Sequence, residues 1–222
     1  MAAAELKIQR FCLSPWRVNT YLLAEASGGM AVVIDPAGEE ERLARICRQR
    51  GLTLAYILNT HGHADHCLGN ARLAELTGAP TAMHAADAAF CASAAGQEMT
   101  RKDLGLEPPP APSLELADGQ VLPLGGLDIA VIHTPGHSPG SVCFHVAGNL
   151  FTGDTLFVGA VGRTDLAGAD FQTLLDSIAG RLLPLPDETV VWPGHDYGET
   201  PTSTLGREKK ENPYITDFIL EA

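Results

Sequence analysis

The stretch ILNTHGHADHCLGN, residues 57–70, places four possible metal ligands within six positions: His61, His63, Asp65 and His66. It follows directly on the apolar run LAYILN, which predicts a buried strand, so the ligands would be mounted at the end of a rigid element. Gly62 allows the backbone to bend, and the H-x-H spacing places two imidazoles on the same side of an extended segment. A single tetrahedral ion would not easily accept all four groups, so the spacing favours two neighbouring metal ions.

Three further His or Asp residues occupy comparable places downstream. Each stands in a glycine-containing turn after an apolar run, in the segments HTPGHSPGS, LFTGDTLF and VVWPGHDYG; they are His137, Asp154 and His195. Taken singly, each is equally well a turn aspartate or a turn-capping histidine. Because several strand ends at one edge can converge, the set predicts one site, whose imidazole and carboxylate ligands suit zinc, iron or manganese.

Length and composition limit the class of protein. The chain has 222 residues, of which 45% are hydrophobic and 19% charged, which is typical of one large globular domain. Its formal net charge of −12 makes general nucleic-acid binding improbable. The five cysteines form no CxxC pair, so we expect no disulfide framework and a cytoplasmic location. The start, MAAAELKIQR, lacks the apolar run of a secretory signal, and no stretch approaches the ~18 apolar residues of a membrane span.

The pattern along the chain predicts two series of short strands, each accompanied by helices. Helices are expected at 39–51, 65–78, 85–95, 170–185 and 203–215. Residues 96–118 are proline-rich and polar, which predicts a surface insertion loop. Two sheets that face each other, with helices on the outside, would satisfy this order.

The order H-x-H-x-D-H, followed by the histidine of TPGHSPGS, the aspartate of FTGDTLF and the histidine of PGHDYG, resembles the metallo-β-lactamase superfamily along essentially the whole chain. The resemblance implies an α/β fold of the α+β type, an αββα sandwich of two mixed β-sheets flanked by helices. It also implies a single domain over residues 1–222, with an active site along one edge and the insertion loop near 96–118 on the surface.

The same resemblance implies a ligand set for two divalent metal ions, with zinc expected and iron or manganese as alternatives. The first metal would be held by His61, His63 and His137. The second would be held by Asp65, His66 and His195. Asp154 would bridge the two. Asp65 would have a second, catalytic role in orienting a metal-bridging hydroxide or handling its proton.

Within the superfamily, the motifs THGHADH, FTGDTLF and PGHDY are most similar to the glyoxalase II branch, the hydroxyacylglutathione hydrolases, in a compact single-domain form. The resemblance implies hydrolysis of an S-acylglutathione thioester such as S-lactoylglutathione. Arg163 and Tyr197 stand where the family binds glutathione. In glyoxalase II a helical C-terminal region completes the glutathione clamp, and we expect Lys209 to serve in part of that role here. We expect a monomer or homodimer that acts on this small molecule, with no nucleic-acid or membrane partner.

A second interpretation fits the same seven residues. Persulfide dioxygenases are close to this branch and hold one Fe(II) with two histidines and one aspartate, for which His63, His137 and Asp154 are the nearest choice. Such an enzyme would act on glutathione persulfide, and the segment GRTD at 162–165 fits that branch too. A metal-dependent lactonase or phosphodiesterase is a third, weaker alternative, since fold and ligands do not determine the substrate. The bridging aspartate argues against β-lactamase activity.

Overall fold

The structure is a computed structural model and describes residues 4–13 and 15–221. The first three residues of MAAAELKIQR, on which the expectation of no secretory signal partly rests, lie outside the described residues. Within the described residues, no helix combines the length and the apolar character needed to cross a membrane.

The first half of the chain forms a six-stranded mixed sheet. Its strands follow one another in chain order, β1 to β6. The first strand pairs antiparallel with the second and the second with the third, and the pairs from the third strand to the sixth are parallel. The strands are β1 (Leu6–Leu13), β2 (Val18–Glu25), β3 (Met30–Ile34), β4 (Thr53–Leu58), β5 (Thr81–His84) and β6 (Leu114–Leu116).

The second half forms another six-stranded sheet, in the order β14-β13-β10-β9-β8-β7. All its neighbours are antiparallel except β10 and β13. A separate hairpin pairs β11 with β12. The strands are β7 (Val121–Leu124), β8 (Leu127–His133), β9 (Val142–Val146), β10 (Asn149–Gly153), β11 (Leu156–Phe157), β12 (Ala160–Val161), β13 (Val190–Pro193) and β14 (Ser203–Thr204).

The helices cover the outer faces of the two sheets. They are α1 (Glu40–Gln49), α2 (Ala64–Cys67), α3 (Asn70–Thr77), α4 (Ala85–Ala92), α5 (Ala94–Lys102), α6 (Phe171–Ser177), α7 (Leu205–Glu211) and α8 (Pro213–Ile215). A π-helical stretch, Ile178–Leu182, extends α6, and another, Thr216–Leu220, extends α8.

Three hydrophobic cores hold the layers of helices and sheets together. Strand β2 is buried on both faces, and its side chains alternate between two of these cores. Leu22 faces a core shared with Leu43 of α1, whereas Leu23 faces a core shared with Phe144 and Phe151 of the second sheet. A third core lies between the second sheet and the helical segment from α6 to α8. The predicted αββα sandwich of two mixed sheets is therefore confirmed.

The expectation of a loop over 96–118 is wrong at both ends. Residues 96–102 belong to α5, where Ser93 caps the helix by accepting from Gly96 N, and Met99 and Thr100 are buried. Residues 114–116 form β6, which pairs in parallel with β5. Residues 103–113 and 117–118 have neither helix nor strand; the first of these stretches holds the prolines, which cannot donate the hydrogen bonds that helices and sheets require.

Three predicted helices are also interrupted. The helix expected at 85–95 breaks at Ser93 into α4 and α5. The helix expected at 65–78 breaks at residues 68–69 into α2 and α3, where Gly69 N donates to Pro36 O at 2.7 Å. The closing helix expected at 203–215 begins as strand β14 and pauses at Asn212, whose side chain caps α8.

The strand ends bring the two halves of the chain together at one edge. Strands β3, β4 and β5 are parallel, so their carboxyl ends share an edge of the first sheet. Strands β8, β10 and β13 run in one direction in the second sheet and share an edge there. The hydrogen bond from Val142 N to Thr60 O, 2.7 Å long, joins the two sheets at this place. The sequence HGHADH and the three later turns all lie at this junction.

The chain at Gly136, beside His137, passes very close to α6, and a substitution at this glycine tests that close approach. Its φ is +135°, and a Cβ there would overlap the backbone of Leu174. We expect Gly136→Ala to lower the free energy of unfolding by about 3 kcal/mol or more, because strain adds to steric overlap. Gly148, at φ +74° in open surroundings, is the control, and Gly148→Ala should cost only about 1 kcal/mol. Equal losses in urea unfolding would contradict the close approach.

Candidate metal centre

The structure brings all seven predicted ligands into one buried cluster. His61, His63 and His137 form one triad of mutually close ligand atoms, and Asp65, His66 and His195 form another. The carboxylate of Asp154 lies between the triads. One of its oxygens is 3.4 Å from His66 Nε2, and the other is 3.6 Å from His137 Nε2 and 3.3 Å from His195 Nε2. A third close group, His61, His66 and Asp154, links the two triads, so the seven side chains form one continuous cluster.

The distances suit divalent cations. Two ligands ~2.1 Å from a tetrahedral ion lie about 3.4 Å apart. His63 Nδ1 and His137 Nε2 are 3.0 Å apart, and His66 Nε2 and His195 Nε2 are 3.2 Å apart. Three further nitrogen and oxygen atoms at the cluster are buried without a hydrogen-bond partner: His61 Nε2, His63 Nε2 and Asp154 Oδ1. Since buried polar atoms are normally satisfied, the cluster fits cations held between these groups.

Protein acceptors behind the cluster determine which ring nitrogen of four histidines faces inward. Nδ1 of His137 donates to Arg163 O at 2.8 Å, and Nδ1 of His195 donates to Trp16 O at 2.7 Å. The corresponding nitrogens of His66 and His61 donate to Asp35 and to Thr60 Oγ1, at 3.0 and 3.1 Å. Each ring therefore turns Nε2 toward the cluster, which is the orientation that a metal ligand needs.

The sequence reasoning missed Asp35, which supports two of these histidines at once. Its carboxylate accepts from Thr60 N at 2.8 Å, from Thr60 Oγ1 at 2.7 Å and from His66 Nδ1 at 3.0 Å. The side chain is buried, and φ at this position is +48°. The available signal was the segment VVIDP: an aspartate directly after a buried strand, which is the same pattern that singled out Asp154.

Electrostatics divide the histidines into two groups. Burial and the neighbouring imidazoles hold the pKa values of His61 and His63 well below the usual range, so both rings are neutral. Burial opposes protonation of His66 as well, but the carboxylates of Asp154, Asp65 and Asp35 outweigh it and raise its pKa to about 10. A cation that binds here would replace this proton, because it satisfies the same carboxylates.

A cleft of about 530 Å³ opens directly onto the cluster. Metal ligands form its floor, among them Asp65, whose carboxylate is 12% exposed. Apolar and aromatic side chains form much of its wall: Trp16, Leu104, Phe157, Leu166, Phe171 and Tyr214. Asp103 and Leu104, which follow α5, also line it, so part of the segment expected to be a surface loop reaches the site. A cleft with polar groups at one end and apolar walls is typical of a small-molecule site.

Two of the three predicted substrate-binding residues line this cleft. Arg163 is the cation among the lining residues, and its guanidinium pairs in bidentate fashion with Asp165 at 2.6 and 2.7 Å. The ring of Tyr197 stacks on His195 with a centroid distance of 4.6 Å, and its hydroxyl donates to Trp16 O at 3.0 Å. Tyr197 and His195 therefore share one carbonyl acceptor.

Lys209 is not at the site. Its ammonium pairs with Asp187 at 2.5 Å, and it does not line the cleft. The expectation failed because α7 directs this side chain toward the segment before β13. His133, four residues before His137, stacks on His84 at a centroid distance of 4.1 Å and donates to Pro139 O.

The chain is similar in sequence to several known proteins. The chain is 41% identical over 211 residues to an uncharacterized protein of Mycobacterium tuberculosis, with 89% of this chain and 92% of the relative covered. It is 35% identical over 195 residues to the hydroxyacylglutathione hydrolase GloC of Haemophilus influenzae, covering 83% and 87%. It is 32% identical over 201 residues to the human mitochondrial persulfide dioxygenase ETHE1, covering 89% and 71%.

Solved structures show the same fold. The B3 metallo-β-lactamase BLEG-1 superposes with a TM-score of 0.84 at 34% identity, covering 95% of this chain and all of that one. TTHA1623 in a di-iron-bound form gives a TM-score of 0.78 at 38% identity, covering 93% and 99%. The model of the metallo-beta-lactamase superfamily matches residues 13–195. With its clustered His and Asp ligands and this match, the chain belongs to the metallo-β-lactamase superfamily.

Proposed function

We propose that the protein is a metal-dependent hydrolase that cleaves a thioester, with an S-acylglutathione such as S-lactoylglutathione as substrate. The observation that carries this proposal is the pair of ligand triads that share Asp154 at the floor of an open cleft. Two divalent cations, with zinc first and iron or manganese as alternatives, are the expected cofactors. The similarity to GloC supports glutathione as the thiol carrier.

Cations held in the two triads would supply a water of lowered pKa and an electrophile for the thioester carbonyl. Side chains of the protein would carry out the remaining steps of the reaction. Asp65 Oδ2 lies 3.7 Å from His66 Nε2 and 3.8 Å from His195 Nε2, and the residue lines the cleft. Its carboxylate would orient the attacking water and hold its proton while the C–S bond breaks. The thiolate is a good leaving group, so the cleft needs no strong acid.

Arg163 and Tyr197 would bind the substrate beside this floor. The side chain of Arg163 is 57% exposed, so a substrate carboxylate can compete with Asp165 for its guanidinium. Tyr197 adds an aromatic face next to His195. The phenolic hydroxyl keeps its acceptor lone pairs for a substrate N–H while it donates to Trp16 O.

A mononuclear Fe(II) persulfide dioxygenase acting on glutathione persulfide is the second candidate. The observations that favour it are the similarity to human ETHE1 and a TM-score of 0.79 to ETHE1 from Myxococcus xanthus at 31% identity. His63, His137 and Asp154 would hold the iron. Of these, His137 and Asp154 lie 3.6 Å apart, and His63 and His137 lie 3.0 Å apart.

Metal content and substrate distinguish the two candidates. We expect protein purified without oxygen or added metal to carry about two ions per chain, to hydrolyse S-lactoylglutathione, and to lose this activity after chelation. Zinc, iron and manganese should be compared in reconstitution, with a β-lactam included because of the likeness to BLEG-1. One iron per chain with oxygen uptake on glutathione persulfide would instead establish the dioxygenase.

Asp154→Asn tests the shared carboxylate. The amide keeps the shape but loses the charge between His66 and His195, so we expect about one metal ion or fewer per chain and a rate at least roughly 100-fold lower. Elemental analysis and the hydrolysis rate measure the two effects. Asp176→Asn, on the exposed face of α6, is the control. Full metal content and rate in Asp154→Asn would refute the bridging role.

Arg163→Met tests the recognition of the carrier. Loss of one charge-assisted contact to a substrate carboxylate should raise KM for S-lactoylglutathione roughly 10-fold, with little change in kcat. A thioester of N-acetylcysteamine, which has no carboxylate, should show no such rise. The difference between the two substrates isolates the charge of the carrier from any general disturbance of the cleft.

Arg181→Met is the matched control for that variant. Arg181 also pairs in bidentate fashion, with Asp118 at 2.6 and 3.0 Å, and does not line the cleft. It should leave KM for both thioesters unchanged. Equal KM shifts for both thioesters in Arg163→Met would show that the guanidinium does not bind the carrier.

A further inference from the structure

Two of the metal-ligand segments come from opposite halves of the chain. The turn at 61–63 follows β4 of the first sheet, and His137 precedes β9 of the second. Yet His63 Nδ1 and His137 Nε2 lie 3.0 Å apart, closer than lone pairs tolerate without a cation or a proton between them. A second contact, which involves neither imidazole, also joins the two segments.

Asp87, in the first turn of α4, makes that contact. Its side chain is fully buried. One carboxylate oxygen accepts from Gly62 N and from Ser138 Oγ, both at 2.7 Å, and the other accepts from Gly140 N at 2.6 Å. Gly62 lies between His61 and His63, and Ser138 directly follows His137. One carboxylate thus joins both ligand segments.

The approach of the two segments to α4 is close as well as hydrogen-bonded. A Cβ on Gly140 would overlap the backbone nitrogen of Asp87, and a Cβ on Gly62 would overlap the sulfur of Cys91 and lie 3.3 Å from Asp87 Cβ. Ser141 reinforces the second segment, since its hydroxyl lies 2.7 Å from Ser138 Oγ and accepts from Ser138 N at 3.1 Å. Neither segment can shift without breaking contacts to Asp87.

We propose that Asp87 is a positioning residue of the metal centre, which holds the turn at 61–63 and the segment 137–140 in register so that His63 and His137 bind one cation. Burying a carboxylate has a large desolvation cost, and three short hydrogen bonds offset it only in this arrangement. A group that served the fold alone would not need acceptors directed at both ligand segments. This inference rests on the proposed metal centre and does not depend on the substrate.

The decisive measurement is metal affinity, by competition of the metal-free protein against a chromophoric chelator. Asp87→Asn keeps the volume but turns an NH₂ group toward donors, so we expect affinity for the first-bound Zn²⁺ to fall 10- to 100-fold, as outer partners of metal ligands typically show. The absorption spectrum of the Co²⁺-loaded variant should change too, because the ligand geometry around the ion is altered.

Glu208→Gln is the matched control. Glu208 is another buried carboxylate, whose Oε2 accepts from Gly159 N and from Asn212 Nδ2, both at 2.9 Å, and it contacts neither ligand segment. This variant should lower the urea midpoint while keeping native Zn²⁺ affinity and a native Co²⁺ spectrum. Native affinity and spectrum in Asp87→Asn would overturn the proposal, whatever the loss of stability.

Ser138→Ala is a second variant, for the case in which Asp87→Asn does not fold. It removes one of the three donors to Asp87 and leaves the carboxylate in place. We expect a few-fold loss of Zn²⁺ affinity, and unchanged affinity would overturn the proposal. A wild-type protein that binds no ion would overturn both the metal centre and the role of Asp87. Wild-type protein that binds ions but hydrolyses no thioester would refute only the proposed substrate.

Discussion

Five buried imidazoles converge where the two sheets meet, and four of them are held with Nε2 pointing into one cluster. Acceptors behind the rings impose this orientation, among them Asp35 and the carbonyl of Trp16. Each buried polar atom without a partner costs about 1–3 kcal/mol, and three atoms of the cluster have none, so the arrangement opposes folding until a cation satisfies them. Most of the structure around the site is explained by the need to hold these groups in place against that cost.

The αββα sandwich meets this need because its strands end at a shared edge. Parallel strands in the first sheet deliver Asp35 and the turn at 61–66, and co-directional strands in the second deliver His137, Asp154 and His195. Covering each sheet with helices on its outer face leaves this edge open to substrate. A fold with strands ending at opposite edges would place these ligands a full strand length apart.

The convergence of the seven His and Asp residues could be predicted from the sequence, because they lie in turns after apolar runs and strand ends in such a fold converge. Asp35 carries the same signal in VVIDP, whereas the role of Asp87 depends on partners distant along the chain, which no local spacing reveals. Helix α5 was hidden by the prolines that follow it, although Ser93 is a recognisable cap. Lys209 shows the opposite failure: a basic residue near the end of the chain suggested a substrate clamp, but its ion pair with Asp187 depends on the direction of α7.

The proposed substrate contact and the proposed metal centre meet in the segment 162–163. Gly162 passes so close to Asp154 that any side chain would overlap the carbonyl of Asp154. The carbonyl of Arg163 fixes the ring of His137, while the side chain of the same residue lines the cleft. In the proposed hydrolase, a substrate carboxylate that draws the guanidinium from Asp165 would act on the residue whose backbone also orients His137. A change in this short segment would therefore affect the proposed carrier contact and the proposed metal centre together, because one residue serves both.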